Sequence, residues 1–288
     1  MKIYLLNIFR QLRLRLFKRK KNNLIKKKSK GIIFIVFKDF QMLNECIVSV
    51  LSIRKYNKVL NITIFTDNSE YLKDQFLRLK VSLSNINFQN VLAQQKRAKV
   101  DYIDSSPYER TLYLDCDTIL KIDPELIIDG LKYFDVLFTP DFSRKRQYFS
   151  KRIPEYNDIA LCVPEVNGGV FAFRNNDNTK ELFQKWQHYF YKYFKQTNGY
   201  DQASLRISIS LTKNLKSMII PYEYNTRPHN LLIKCLNTEG ENYRDVIMPK
   251  IVHKHFNIDI PNKSHKQIIK FIETTKTDDL ALQFSEIK

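Results

Sequence analysis

The sequence predicts an α/β fold, a mostly parallel central sheet flanked by helices, and three observations carry that expectation. "GIIFIVF" at 31–37 is a continuous apolar run of β-branched and aromatic residues, the pattern of a strand buried on both faces. The next segment, "QMLNECIVSVLSIRKY", has helical spacing and leads into a second β-prone run, "NITIFTD", so the chain opens as a βαβ unit. With 288 residues and 43% hydrophobic side chains, the chain has enough apolar surface for a substantial core, which excludes the disordered class.

The elements follow in order. Residues 1–30 carry twelve of the 48 Lys/Arg and none of the 30 Asp/Glu, so the other 258 residues hold 36 basic and 30 acidic side chains. The net charge of +18 is therefore largely a property of this leader. Leu5, Phe9, Leu12 and Leu16 fall at helical spacing with Arg10, Arg13, Lys18 and Arg19 free to face elsewhere, an amphipathic cationic helix suited to an anionic membrane surface. The alternative is a solvated basic leader. Arg10, Arg13 and Arg15 interrupt any bilayer span or signal-peptide core.

After the βαβ opening, "NINFQN" predicts a third short strand. The stretch "LAQQKRAKVDYIDSSPYERTLYLDCDTIL" reads as helix, loop at Pro107 and strand. A short helix follows Pro124, then the buried strand "DVLFTPD"; 142–165 reads as a long functional loop or lid. Order resumes with the strand "NGGVFAFRN", a long helix around "TKELFQKWQHYFYKYF" and the segment "GYDQASLRISISL". The aromatic stripe of Phe183, Trp186, Tyr189, Phe190, Tyr193 and Phe194 reads first as core packing, with an acceptor platform or membrane belt as alternatives. With no internal repeat and no Gly/Ser linker, the division is a leader at 1–30, one α/β domain at 31–256 and a C-terminal tail or helix at 257–288. Cys46, Cys116, Cys162 and Cys235 form neither a CxxC pair nor a dense framework, which suits reduced, mostly buried thiols in a cytoplasmic protein.

The chemistry is concentrated in "TLYLDCDT". Strand alternation puts Asp115 and Asp117 on one face and Cys116 on the other. The pair lies at a strand's carboxyl end, where open α/β sheets bind ligands. Two carboxylates so close repel each other unless a divalent cation joins them. Mg²⁺ or Mn²⁺ held by one or two carboxylates completes its shell with substrate phosphates, so the pair points to phosphate chemistry. One reading takes "LYLDCDTIL" as a haloacid-dehalogenase-like phosphatase motif with Asp115 as nucleophile and Asp117 as acid/base. That family places the motif after its first strand, whereas here roughly eighty residues of α/β pattern precede it. A non-catalytic nucleotide or nucleic-acid binder is a further alternative, although no nucleic-acid module is recognisable.

Across about 31–256 the order of "IIFIVF", "ITIFTD", "RAKVDYIDSSPYERTLYLDCDTIL", "NGGVFAFRN", "YDQASL" and "IVHKHF" resembles the GT-A nucleotide-sugar transferases, most nearly glycosyltransferase family eight or a neighbour. The resemblance implies a Rossmann-like GT-A domain and a hexosyl transfer from a nucleotide diphosphate sugar, UDP-linked as the first choice, with retention. It also implies a Mn²⁺ or Mg²⁺ cofactor and a glycan or glycolipid acceptor. The basic leader then suggests a lipid-linked glycan such as lipopolysaccharide or capsule, met by an enzyme peripheral to the inner face of the membrane.

By the same resemblance, Asp115 and Asp117 are the metal-binding DxD and His253 the third ligand, with His255 an alternative two residues on. Lys99, with Arg97 beside it, stands where relatives carry a basic residue near the donor, or else on a solvated helix face. Asn167, Gly168 and Gly169 resemble the family's Asn-x-Gly wall against the donor, and Asp201 and Gln202 its DQ pair near the transferred sugar. Asp201 could equally cap a helix. Asp67, on the nucleotide side with Asp39, is a further donor-binding candidate or a helix cap. The family's Gly-Lys-Pro-Trp segment after the metal histidine is replaced here by "HKHFNIDIPNKSHK", with Lys254, Lys263 and Lys266 as candidate replacements for its phosphate-binding lysine.

Overall fold

The computed structural model describes residues 26–37, 39–91, 99–141, 149, 151–227 and 249–275. Most of the basic leader, Arg97, Cys235 and positions 142–148 and 150 of the long loop lie outside the described residues. In chain order the strands and helices are β1 (Lys26–Val36), α1 (Phe40–Tyr56), β2 (Asn61–Thr66), α2 (Ser69–Arg78), β3 (Ile86–Asn90), α3 (Lys99–Tyr102), β4 (Tyr108–Leu114), β5 (Thr118–Leu120) and α4 (Glu125–Asp129). They continue with β6 (Val136–Pro140), α5 (Pro154–Asn157), β7 (Val166–Arg174), α6 (Asp177–Lys192), α7 (Gln202–Leu211), β8 (Ser217–Ile219), β9 (Ile251–His253) and α8 (His265–Thr274). A 3₁₀ turn at Tyr222–Asn225 precedes β9.

The central sheet has the order β3-β2-β1-β4-β7-β6-β8. Only β7 runs against its neighbours; the pairs β1–β2, β1–β4, β2–β3 and β6–β8 are parallel. Its strands are buried on both faces, as the unbroken apolar runs require. In β1, Ile32, Phe34 and Val36 join a core shared with α1, α2 and α8, while Ile33 and Ile35 join one shared with α6 and α7. The aromatic stripe of α6 is core: Trp186 is fully buried, Phe183 and Phe190 nearly so, and Phe171 and Phe173 of β7 meet them edge-on or tilted. A third cluster, with Phe149, Ile153 and Tyr156, packs against Ala203 and Ile207 of α7, so part of the expected loop folds over that helix.

The alternation of "TLYLDCDT" predicts a continuous strand, and the structure breaks it. β4 ends at Leu114 and β5 starts at Thr118, so Asp115, Cys116 and Asp117 form a turn rather than a pleat. The Thr118 hydroxyl donates to the Asp115 carbonyl at 2.9 Å, closing the turn. β5 leaves the main sheet and pairs antiparallel with β9, setting Thr118 opposite His253. Residues 257–275 pack onto the first core through Ile258, Ile260, Ile268 and Ile272.

Candidate metal and donor site

The turn between β4 and β5 brings its carboxylates together with a histidine from 136 residues later. His253 Nε2 lies 3.2 Å from Asp117 Oδ1 and 3.9 Å from Asp115 Oδ2. One ligand atom from each of the three residues falls within 4.8 Å of the others, the one such group among the described residues. Two carboxylate oxygens and an imidazole nitrogen suit a hard to borderline divalent ion such as Mn²⁺ or Mg²⁺. Space around the group is accounted for by Gly169: a Cβ there would lie 2.3 Å from His253 Cε1 and 2.7 Å from Asp115 Oδ2. The residues present therefore fit a metal centre.

The environment prepares each ligand differently. Burial by itself raises the Asp117 carboxyl, but His253, by charge and hydrogen bond, and His255 more than offset it and hold the group well below the usual carboxylate range. Asp115 accepts a 2.5 Å hydrogen bond from the Tyr113 hydroxyl, whose own ionisation is pushed far up by burial and by that carboxylate. The turn backbone is held too: Asp115 N donates to the Gly169 carbonyl at 2.7 Å and Lys254 N to the Asp117 carbonyl at 2.9 Å.

Of the two histidine candidates, the geometry favours His253, which is 3% exposed at the end of β9. The strand stops there, so parity does not carry His255 onto the same face. His255 has a side chain 70% exposed and sits on the outer flank, its Nδ1 3.2 Å from both oxygens of Glu45 and 3.5 Å from Asp117 Oδ2. Glu45 is fully buried on α1; burial first, then Asp117, raises its carboxyl, and it accepts from Phe256 N at 2.9 Å. Sequence reading missed Glu45, because nothing in "LNECIV" separates it from an ordinary polar residue on a helix.

Lys99 joins this centre to a second one. It is 6% exposed, and its Nζ lies 3.3 Å from Asp115 Oδ1, 3.1 Å from Asp201 Oδ2 and 2.9 Å from the Gly168 carbonyl. The solvated-helix alternative for Lys99 is thus set aside. Asp201 occupies the N-cap position of α7, but its side chain makes no capping hydrogen bond. It turns to Lys99 instead, while its carbonyl accepts from Trp186 Nε1 at 3.1 Å. Gln202 opens α7, and its Nε2 is buried without a hydrogen-bond partner among the described residues. A buried, unsatisfied amide calls for an explanation, and a bound ligand is one. The turn leading in is made by Asn198 and Gly199 with φ of 52° and 74°, the left-handed region where glycine is least strained.

Asn167, Gly168 and Gly169 form the wall between the two centres. Asn167 Oδ1 accepts from Gly169 N at 2.8 Å, and a Cβ on Gly168 would stand 3.6 Å from Lys99 Nζ and 3.7 Å from Asp201 Oδ2. Asp67 and Asp39 lie apart. Asp39 caps α1 by accepting from Gln41 N, and α2 is capped by Asn68 rather than by Asp67. Asp67 follows β2, two strands from β4, on the same carboxyl edge but outside the Asp115–Asp117–His253 group.

Residues 110–267 match the family model for nucleotide-diphospho-sugar transferases. No curated protein matches the chain. Among solved structures the fold is similar to that of galactosyltransferase LgtC with donor and acceptor sugar analogues, at 14% identity and TM-score 0.58 over 88% of this chain and 100% of that one. It is also similar to the bifunctional glycosyltransferase WbbM, at 13% identity and TM-score 0.57 over 90% of this chain and 52% of that one. Glycosyltransferase GlyE of Streptococcus pneumoniae matches at 14% identity and TM-score 0.55, over 89% of this chain and 64% of that one. At such identities these likenesses speak for the fold.

Proposed function

The chain belongs to the nucleotide-diphospho-sugar transferase family, and from that premise we propose a metal-dependent glycosyltransferase that moves a sugar from a nucleotide diphosphate donor, UDP-linked as the first choice, to a glycan acceptor, with retention. One observation carries the reading: the β4–β5 turn and β9 bring Asp115, Asp117 and His253 into one group, and Lys99 ties that group to Asp201, before α7, at 3.1 Å. The phosphatase alternative lacks comparable support, since the strand before Asp115 is the fourth among the described residues and central in the sheet.

In this reading Asp115, Asp117 and His253 hold Mn²⁺ or Mg²⁺. When bound, the ion supplies stabilisation of the negative charge that develops on a diphosphate leaving group. Lys99 is the fixed cation of the donor pocket; with Asp115 and Asp201 on either side it keeps its position before substrate arrives, so little reorganisation is needed. Asn167, Gly168 and Gly169 bring backbone rather than side chains against the donor. Asp201 and the Gln202 amide face the transferred sugar, where a carboxylate and an amide oxygen favour developing positive charge at the anomeric carbon.

The acceptor we propose is a lipid-linked glycan, met in the cytoplasm at the inner face of the membrane through residues 1–30, whose twelve basic side chains suit anionic lipid. No helix among the described residues is long and apolar enough to cross a membrane. Sedimentation with anionic vesicles of the full chain against a chain lacking residues 1–30 tests this; equal sedimentation removes the membrane part.

The donor reading is tested by calorimetry of UDP, GDP and CDP with and without Mn²⁺, on wild type and Asp117→Ala. We expect Mn²⁺ to tighten one diphosphate and Asp117→Ala to lower the metal affinity by more than about 100-fold, beyond the effect of losing an outer hydrogen bond. No diphosphate binding with any metal would sink the reading. Retention is tested by the anomeric configuration of the product.

A further inference from the structure

We propose that Asn225 is a positioning residue that fixes the tautomer of His253, through a buried relay anchored on the main chain of β7. The inference rests on His253 being a metal ligand, and on four groups in series. Thr139 Oγ1 donates to the Val170 carbonyl at 2.8 Å, Asn225 Nδ2 donates to Thr139 Oγ1 at 2.9 Å, and His253 Nδ1 lies 2.7 Å from Asn225 Oδ1. Thr139, Asn225 and His253 are 0%, 1% and 3% exposed.

The proton count leaves one arrangement. A carbonyl only accepts, so the single proton of the Thr139 hydroxyl is committed to Val170. Thr139 Oγ1 can then only accept from Asn225, which must present its NH₂ there and its oxygen to the histidine. An amide oxygen 2.7 Å from a ring nitrogen requires that nitrogen to carry hydrogen, so Nδ1 is protonated. In the neutral ring Nε2, which faces Asp115 and Asp117, is therefore the nitrogen with a lone pair to give a metal.

The fold builds this relay at a cost in sheet regularity. Along β6, Phe138 pairs with Phe171 but Thr139 pairs with Asn167, so Gly168, Gly169 and Val170 are skipped as a bulge. Within that bulge Gly169 lies against His253 and Asp115, and the Thr139 hydroxyl reaches the carbonyl of Val170 next to it. Backbone bonds hold the other end: His253 N donates to the Thr226 carbonyl at 2.9 Å, and Thr226 N to the Ile251 carbonyl at 2.8 Å, placing Asn225 beside β9.

The test uses the full chain and two readouts. Nitrogen NMR of the histidine rings in metal-free protein, at a pH alkaline enough for neutral rings, shows which His253 nitrogen keeps the proton; calorimetry gives the Mn²⁺ affinity. Wild type is expected to carry the proton on Nδ1. Asn225→Leu should move it to Nε2, toward Asp117, and weaken Mn²⁺ about 10- to 100-fold. Thr139→Val, which frees the amide to turn over, should act in the same direction to a smaller extent, and Asn225→Asp, which keeps an acceptor oxygen, should restore the Nδ1 proton. Asn225→Leu or Thr139→Val protein that keeps the Nδ1 proton and wild-type Mn²⁺ affinity overturns the proposal, as does Asn225→Asp with the proton on Nε2. If Asn225→Leu does not fold, the other two variants decide. If wild type binds no Mn²⁺, the metal reading fails, while the ring tautomer still decides the relay.

Discussion

Two charge clusters draw on α7, one through Arg206 within the helix and one through Asp201 at its N-cap, and they are built to opposite ends. Glu165 and Arg206 are 0% and 2% exposed, and their cluster is largely closed by its own partners: Arg206 Nη1 meets Glu165 Oε1 at 2.9 Å, Nη2 meets the Ala160 and Val163 carbonyls, and Tyr156 donates to the same carboxylate oxygen, while Glu165 Oε2 is buried without a hydrogen-bond partner among the described residues. The Asp115–Asp117–His253 group is left open, with the Asp115 side chain 28% exposed and three acids, Asp115, Asp117 and Asp201, converging around Lys99 and His253. A buried acid paired with its own buried cation holds a fold in one arrangement, whereas several acids gathered around a part-exposed carboxylate are completed by something from outside.

That contrast can be broken or sharpened by mutation. The largest effect is expected from Arg206→Met, which strands the Glu165 carboxylate: a loss of about 3–5 kcal/mol in urea denaturation, with diphosphate affinity of the folded protein unchanged. If Arg206→Met instead kept its stability and lost donor binding, the closed cluster would belong to the site after all. Gly169→Ala comes next. Its Cβ meets His253 Cε1 at 2.3 Å and its backbone is tied to Asp115, so we expect a cost of about 1–3 kcal/mol and a clear loss of Mn²⁺ affinity. Equal Mn²⁺ binding by that variant would show that the ring has room to move. The smallest effect belongs to the exposed pair of Glu155 and Lys192. The hydrogen bonds from Lys192 and Tyr193 lower the Glu155 carboxyl to about 2, so its contribution is present above the ordinary glutamate range and fades as pH falls toward 2. Glu155→Gln should therefore fall only slightly below wild type at pH 7 in denaturation curves and converge with it as pH falls toward 2; a large change at pH 7 would mean that surface charge matters here as much as buried charge.

Much of the fold was legible because the strands are buried on both faces, which leaves long apolar runs in "GIIFIVF", "NITIF" and "VFAF". The helix from 177 to 192 was equally visible from its period, and its aromatic face is core, as the plainest of the three readings has it. The break after Leu114 was not visible, because "LYLDCDTIL" alternates as a strand would; the turn depends on Thr118 reaching back to Asp115 and on β9 arriving to pair with β5. β8 also went unread, since its three residues are all exposed and carry no burial pattern.

The site divides the same way. Two acidic residues one apart after an apolar run single out Asp115 and Asp117 by their own chemistry, whereas Gly168, Gly169 and His253 are named by the resemblance to the glycosyltransferase family. Lys99 and Asp201 were nameable, but not as partners, since their 3.1 Å contact joins segments a hundred residues apart. Asn225, Thr139 and Glu45 carry no local mark at all. By itself the sequence determined the layered α/β plan and the kinds of ligand atom available, because burial and residue chemistry act over a few positions. Which oxygen meets which nitrogen, which nitrogen of His253 holds its proton, and which buried charge is closed or open were decided only when the sheet brought distant segments together, because hydrogen bonds are set by distances of a few tenths of an ångström that no linear pattern encodes.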